Sequence, residues 1–189
     1  MTEWSFRSSL IGALLVGLWW GGMAGGAGPS VVHAGEPLPQ GLGEAHWGMT
    51  AEELVGRLGA RHVEGSDQFG YAEHLERDPE VYVGTTADGK RVEYYLYNHA
   101  LYKLFIIYAR NQREPELYQR KVAELTALYG APQHVYEESV FGLTITHTVW
   151  QDAVTRVDLR YGGGFVFEVH TDRVRAAAKD AALKRKKSI

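Results

Sequence analysis

Apolar positions fall at two different periods along this chain, and the changes of period mark its elements. After Thr50 the pattern is helical: Leu54 and Leu58 lie one turn apart with Val55 beside them, giving a single stripe to bury. Thr50 stands at the cap with Glu53 three residues on to reach back, and Met49 and Leu54 occupy the two ends of a hydrophobic staple. Gly59 supplies the stop. A second helix opens at Pro115, and Tyr118, Val122, Leu125 and Tyr129 recur at helical spacing until Gly130 and Pro132 end it.

After each helix the period drops to two. Asn98-His99 reads as a hairpin loop that pairs Tyr97 with Ala100 and Tyr95 with Tyr102. This register places Val92, Tyr94, Leu96, Leu101, Phe105 and Ile107 on one face. The other face receives Tyr95, Tyr97, Tyr102, Leu104, Ile106 and Tyr108. Both faces are apolar, which a half-exposed antiparallel sheet does not show. In the second half, Gly162–Gly164 turn the chain between Val154–Tyr161 and Phe165–His170. There Val157, Leu159, Tyr161, Phe165, Phe167 and Val169 share one face, with Arg156, Asp158, Arg160, Glu168 and His170 on the other.

The two halves echo one another. His62-Val63 and Phe69-Gly70 recur as His134-Val135 and Phe141-Gly142 with the same five-residue gap. Glu53-Leu54 and Gly59-Ala60 recur at an offset of 71 as Glu124-Leu125 and Gly130-Ala131, and Pro132 lengthens the later offset to 72. A fixed period of this length predicts a duplicated helix-then-strands unit.

The residues at the helix entry carry a resemblance. Trp47-Gly48-Met49-Thr50, followed by Glu52-Glu53-Leu54 and Leu58-Gly59, resembles the helix entry of small exported bacterial proteins with a BamE/SmpA-like or β-lactamase-inhibitor-protein-like fold. Leu125, Tyr129 to Pro132, Trp150 and Val154–Tyr161 look like the same unit repeated, so the resemblance covers most of residues 41–171. It implies a periplasmic tandem of helix-plus-sheet repeats, whose relatives bind proteins or envelope components rather than catalyse. The chain departs from the BamE-type pattern in lacking a lipidated cysteine, and no inhibitor contact residue can be carried over.

The first residues predict export. Arg7 supplies a basic start, Leu10 to Trp20 an apolar run, and Val32-His33-Ala34 a small-x-small cleavage site before Gly35. The apolar run is short for a bilayer span, which needs about 20 residues, so no stable membrane span is expected after cleavage. Removing residues 1–34 from the 189 leaves 155, enough for one domain with a sizeable core. A net charge of −3 suggests neither a nucleic-acid binder nor a binder of strongly acidic substrates. With no cysteine, the fold has neither a disulfide framework nor a thiol nucleophile.

Candidate chemistry is sparse. Asp158, Glu168 and His170, flanked by Arg156 and Arg160, could converge for acid–base work, which requires groups within hydrogen-bond reach. Cross-strand ion pairing is the simpler reading of the same pattern. His147 alternates with Leu143, Ile145 and Val149 against three threonines and reads as a satisfied buried histidine. No histidine pair has metal-ligand spacing, His62 and His134 being matched by the echo, and no cofactor fingerprint is present. Five of the eleven tyrosines lie between Tyr94 and Tyr108, and tyrosine is enriched at interfaces. The C-terminal stretch Arg173–Lys187 holds seven basic residues against Asp180 and reads as a helix fraying into a solvated tail.

The sequence thus predicts an α+β fold: two tandem helix-plus-antiparallel-strand repeats with the helices on one face of the sheet. Its expected organisation is a signal peptide over 1–34, a linker over 35–46, a domain over 47–171 built from repeats 47–110 and 114–171, and a basic tail over 172–189. The expected function is non-enzymatic binding of an envelope protein or envelope component in the periplasm, through Tyr95, Tyr97, Tyr102 and Tyr108. The alternative is a small periplasmic hydrolase using Asp158, Glu168 and His170. Neither reading calls for a metal, a cofactor or a nucleic acid.

Overall fold

The computed structural model describes residues 37–64, 80–109, 114–140 and 142–187. The predicted signal peptide, Phe69-Gly70 and Phe141 lie outside the described residues. The chain divides into Met1–Val32 and His33–Ile189, and the second unit holds every described residue.

That unit opens with a two-stranded ribbon, β1 (Gly41–Leu42) and β2 (Ala45–His46), and α1 (Ala51–Leu58). The strands β3 (Arg61–Val63), β4 (Val81–Thr85), β5 (Arg91–Tyr97) and β6 (Ala100–Ala109) follow. Next come α2 (Pro115–Tyr129), β7 (His134–Val140), β8 (Leu143–Gln151), β9 (Thr155–Gly162), β10 (Phe165–Asp172) and α3 (Arg173–Lys187). Strands β3 to β10 form one eight-stranded antiparallel sheet in the order β3-β4-β5-β6-β10-β9-β8-β7.

Local chemistry explains the element ends. The α1 capping box is complete: the Thr50 N–H donates to Glu53 Oε2 at 2.8 Å and the Glu53 N–H to Thr50 Oγ1 at 3.3 Å. Only Leu54 of α1 is fully buried, worth about 1.5–3 kcal/mol, so the cap is a sizeable share of what holds this short helix. At the end of α2 the Gly130 carbonyl accepts from the Trp150 indole N–H at 2.9 Å, tying the helix to β8.

One sheet face, here the front, lies under α1 and α2. Leu54 and Met49 pack there on Val92, Leu96, Leu101, Leu104 and Ile106. Tyr118 and Leu125 of α2 pack on Trp150, Val157, Leu159 and Val166. The residues expected to form a linker take part: Leu38 joins the α2 cluster and Ala45 the α1 cluster. On the back face, Val63, Val81, Tyr95, Tyr102, Phe105, Phe167 and Val169 cluster with Ala176 of α3.

This corrects the predicted fold class. Strands make up 47% of the described residues, and a single broad sheet dominates rather than two repeats with helices packed on one face. The physical reason is the back face itself: it is as apolar as the front, and α3, read from sequence as a tail, turns back to cover part of it. Asp172 caps that helix, accepting from the N–H groups of Val174 at 2.9 Å and Arg175 at 3.1 Å, so the chain turns directly from β10 into α3.

Two registers also differ from the sequence reading, each by one residue, and one residue is enough to exchange the faces of a strand. The Asn98-His99 turn forms as expected, with φ of 49° and 60°. A bulge then follows, because Leu96 pairs with Leu101 while Tyr95 pairs with Lys103, leaving Tyr102 as the extra residue. Beyond it, Leu104, Ile106 and Tyr108 face the front, and Phe105 and Ile107 the back. In the second hairpin Gly163-Gly164 form the whole turn, with φ of 60° and 83°, and Gly162 pairs with Phe165 inside the ladder. A Cβ at Gly162 would meet the Thr144 carbonyl oxygen at 2.3 Å, so this third glycine permits close approach to β8 rather than the turn.

Candidate functional site

The tyrosines expected to form one surface do not lie together. Tyr95, Tyr97 and Tyr102 are on the back face, while the bulge sends Tyr108 to the front. Tyr95 is 1% exposed and Tyr102 3%. The Tyr95 hydroxyl donates to Glu93 Oε2 at 2.7 Å, Arg91 donates to Glu93 Oε1 at 2.8 Å, and Lys103 Nζ sits 4.0 Å from the Tyr95 ring centroid. From α3, Lys179 Nζ donates to the Tyr102 hydroxyl at 2.6 Å. Tyr97 is half-buried and meets Tyr102 edge-on at 6.5 Å. This is a buried layer in which aromatic rings and paired charges interleave. Glu93 and Lys103, spaced among the tyrosines, were the sequence signal for it, because buried charges need partners.

The three residues of the expected acid–base cluster are also divided. Glu168 pairs across the ladder with Leu159 and His170 with Val157, both front-face residues, whereas Asp158 pairs with Val169 on the back. Glu168 accepts from the Tyr108 hydroxyl at 2.8 Å and is bonded to His170 Nε2. Burial pushes the Glu168 carboxyl up, but the His170 charge and hydrogen bond, with the Tyr108 hydroxyl and Lys121, outweigh it and hold the group below its ordinary value. The Tyr108 hydroxyl is pushed well up, by burial first and then by the Glu168 charge and hydrogen bond. Lys121 of α2 closes the group, its Nζ 4.5 Å from the Tyr108 ring centroid. Glu168 and His170 are 3% and 1% exposed, so this relay is sealed beneath the helices.

Asp158 belongs to a different constellation on the back face, towards the β7 edge. It is 1% exposed and accepts from Arg160 Nε at 3.0 Å and Arg156 Nη2 at 3.2 Å, with His147 Nδ1 at 3.2 Å. Tyr136 of β7 stacks on the His147 ring at 4.5 Å and 7°, and its hydroxyl accepts from Arg156 Nη2 at 3.1 Å. Glu138 Oε2 lies 3.4 Å from His147 Nε2. Burial lowers the Arg160 guanidinium to about 10, which leaves it charged at neutral pH. Buried Asp158 thus organises two arginines and a histidine, and these in turn hold Tyr136 at the surface.

Around this point the surface turns apolar and open. Tyr136 is 41% exposed and Leu143 51% on this face, Val135 is 63% exposed on the front, and every residue of β7 except Val140 is exposed. β8 pairs with β9 from Thr146 to Gln151, and its Thr144 carbonyl continues close against Gly162, so the β7–β8 hairpin forms this edge of the sheet. Sequence reasoning found His147 as a buried histidine and the arginines as ion pairs but missed Tyr136. Nothing in the local pattern marks it, because its stacking partner is eleven residues away across the hairpin.

The histidines of the echo stand apart: His62 meets Tyr82 edge-on at 5.2 Å, and His134 Nε2 lies 3.5 Å from Gln151 Nε2. Among the described residues, no group of three or more His, Asp or Glu is placed to hold a metal ion, and no helix is long and apolar enough to cross a membrane. Compared with known proteins, the chain matches no protein-family model, no curated protein and no solved structure.

Proposed function

We propose that this chain is an exported, non-enzymatic binding protein of the cell envelope that meets its partner through the back face at the β7–β8 hairpin. The observation that carries this reading is Tyr136, braced between the His147 ring and Arg156 while 41% of it remains open to solvent. Tyrosine and arginine supply much of the binding energy at protein interfaces, and a ring already fixed loses little freedom on binding. The Tyr95 and Tyr102 surface favoured from sequence is occupied by the chain's own contacts, which moves the aromatic contact to the other end of the sheet.

The test is cross-linked capture from an envelope extract with wild type and Tyr136→Ser. The same partner should be recovered by wild type and lost by the variant, at a stability cost of about 1 kcal/mol for the lost stacking on His147, which leaves the protein folded. An unchanged captured set would overturn the reading. Export rests on the N-terminal pattern, so protein recovered from the native cell should begin near Gly35 and fractionate with the periplasm. Intact Met1 ends on cytoplasmic protein would overturn that part.

A further inference from the structure

The strand that carries Tyr136 is also an edge. Among the described residues β7 is hydrogen-bonded to β8 alone, so every second residue of its seven directs an N–H and a C=O away from the sheet. The opposite edge, β3, is only three residues long. A long, exposed edge is a template for another strand, and proteins usually blunt such edges. Among the described residues, what blunts β7 is a pair of acids at its middle, Glu137 and Glu138.

Those acids decide what can pair. Their neighbours across β8 are Thr146 and Ile145, so they project to opposite faces, Glu138 beside Tyr136 on the back and Glu137 beside Val135 on the front. A second copy of β7 running antiparallel about its midpoint would set Glu137 against Glu137, and a two-residue slip in one direction would set Glu138 against Glu138. Like charges directly opposite are destabilising, so these two self-pairings are disfavoured. An added strand with two consecutive basic residues would instead meet one acid on each face, with apolar residues following against Tyr136 and Val135.

We propose that β7 accepts an extended segment of a partner protein as a ninth strand, and that this segment reads polar, basic, basic, apolar, apolar along an antiparallel course from Ser139 to Val135. This rests on the binding reading above and adds its mode: backbone pairing supplies the affinity, and Glu137, Glu138, Tyr136 and Val135 supply the selection.

The probe is the synthetic peptide Val-Thr-Lys-Lys-Tyr-Val-Thr, blocked at both ends, titrated into the purified protein and followed by amide hydrogen exchange. Alternate amides of β7 should become protected. Exchanging the two lysines for glutamates should weaken binding by about tenfold, and the Glu137→Lys/Glu138→Lys variant should reverse that preference. Both acids are exposed, and because Glu138 also neighbours His147, Glu137→Lys alone repeats the test with that contact intact. Methylating alternate backbone nitrogens of the peptide should weaken binding by at least about tenfold, because it removes the donors while leaving the charges. The proposal is overturned by any of three results: equal binding of the methylated peptide, no protection on β7, or self-association of the protein through β7. If these appear while Tyr136→Ser still loses its captured partner, strand addition falls and the binding reading stands. Protection of β7 with an unchanged captured set would reverse that outcome.

Discussion

Replacing Tyr95 and Tyr102 together with serine should cost about 5 kcal/mol of stability, since single large-to-small changes of buried aromatic residues cost about 3–5 kcal/mol and neighbours do not add fully. Both rings are buried, and neither is merely apolar. Removing Tyr95 takes a hydrogen-bond donor from Glu93 and the ring beneath Lys103, and removing Tyr102 unseats Lys179 and with it the docking of α3. A domain of this size is typically stable by about 5–15 kcal/mol, so the double variant should unfold at a much lower temperature or fail to fold. Tyr95→Phe separates the two contributions: it keeps the ring and should cost only about 1–3 kcal/mol for the lost partner of a buried carboxylate. A melting temperature unchanged in the double variant would show that these rings are not core, and would return them to the list of binding residues.

How much of this was legible in the chain depends on the range of the interaction that decides it. The capping box at Thr50, the Gly59 stop, the Pro115 entry and the Asn98-His99 turn are settled by residues within one turn of each other, and all form as read. The faces of both hairpins were misread because each depends on one residue that period alone does not place. Tyr102 enters the ladder as an extra residue, and Gly162 belongs to the strand because β8 passes too close for a side chain. That single-residue error carried Tyr108 into the wrong set and joined Asp158 to Glu168 and His170 across a sheet that separates them. The sheet-dominated architecture was missed for a related reason. Arg173–Lys187 has a weak apolar stripe and strong charge, so nothing in its own pattern shows that Ala176 and Lys179 have a tyrosine-rich face to cover. The surface at Tyr136 depends on a contact between strands and becomes visible only with the register.

The Tyr108–Glu168–His170 relay should give the protein an acid-sensitive core. Glu168 lies between the α1 and α2 clusters with both oxygens engaged, one by the Tyr108 hydroxyl and the other by His170. Glu168→Ala should cost about 3–5 kcal/mol, because it leaves a buried imidazole and a buried hydroxyl without the group that satisfied them. The pH dependence has a definite sign. The Glu168 carboxyl is held below its ordinary value of 4.5 in the folded chain, so the unfolded chain binds that proton more readily. Its contribution is therefore fully present above pH 4.5 and is lost as pH falls through the lower folded value. Glu168→Gln, which keeps the shape but cannot titrate, should flatten the fall of stability with acid below that point. Urea unfolding of the two proteins across a pH series reads this directly: their difference should be steady just above pH 4.5 and should shrink below it. A difference that grows with acid would mean that Glu168 is protonated in the folded chain and that the relay is a neutral hydrogen-bond chain rather than an ion pair.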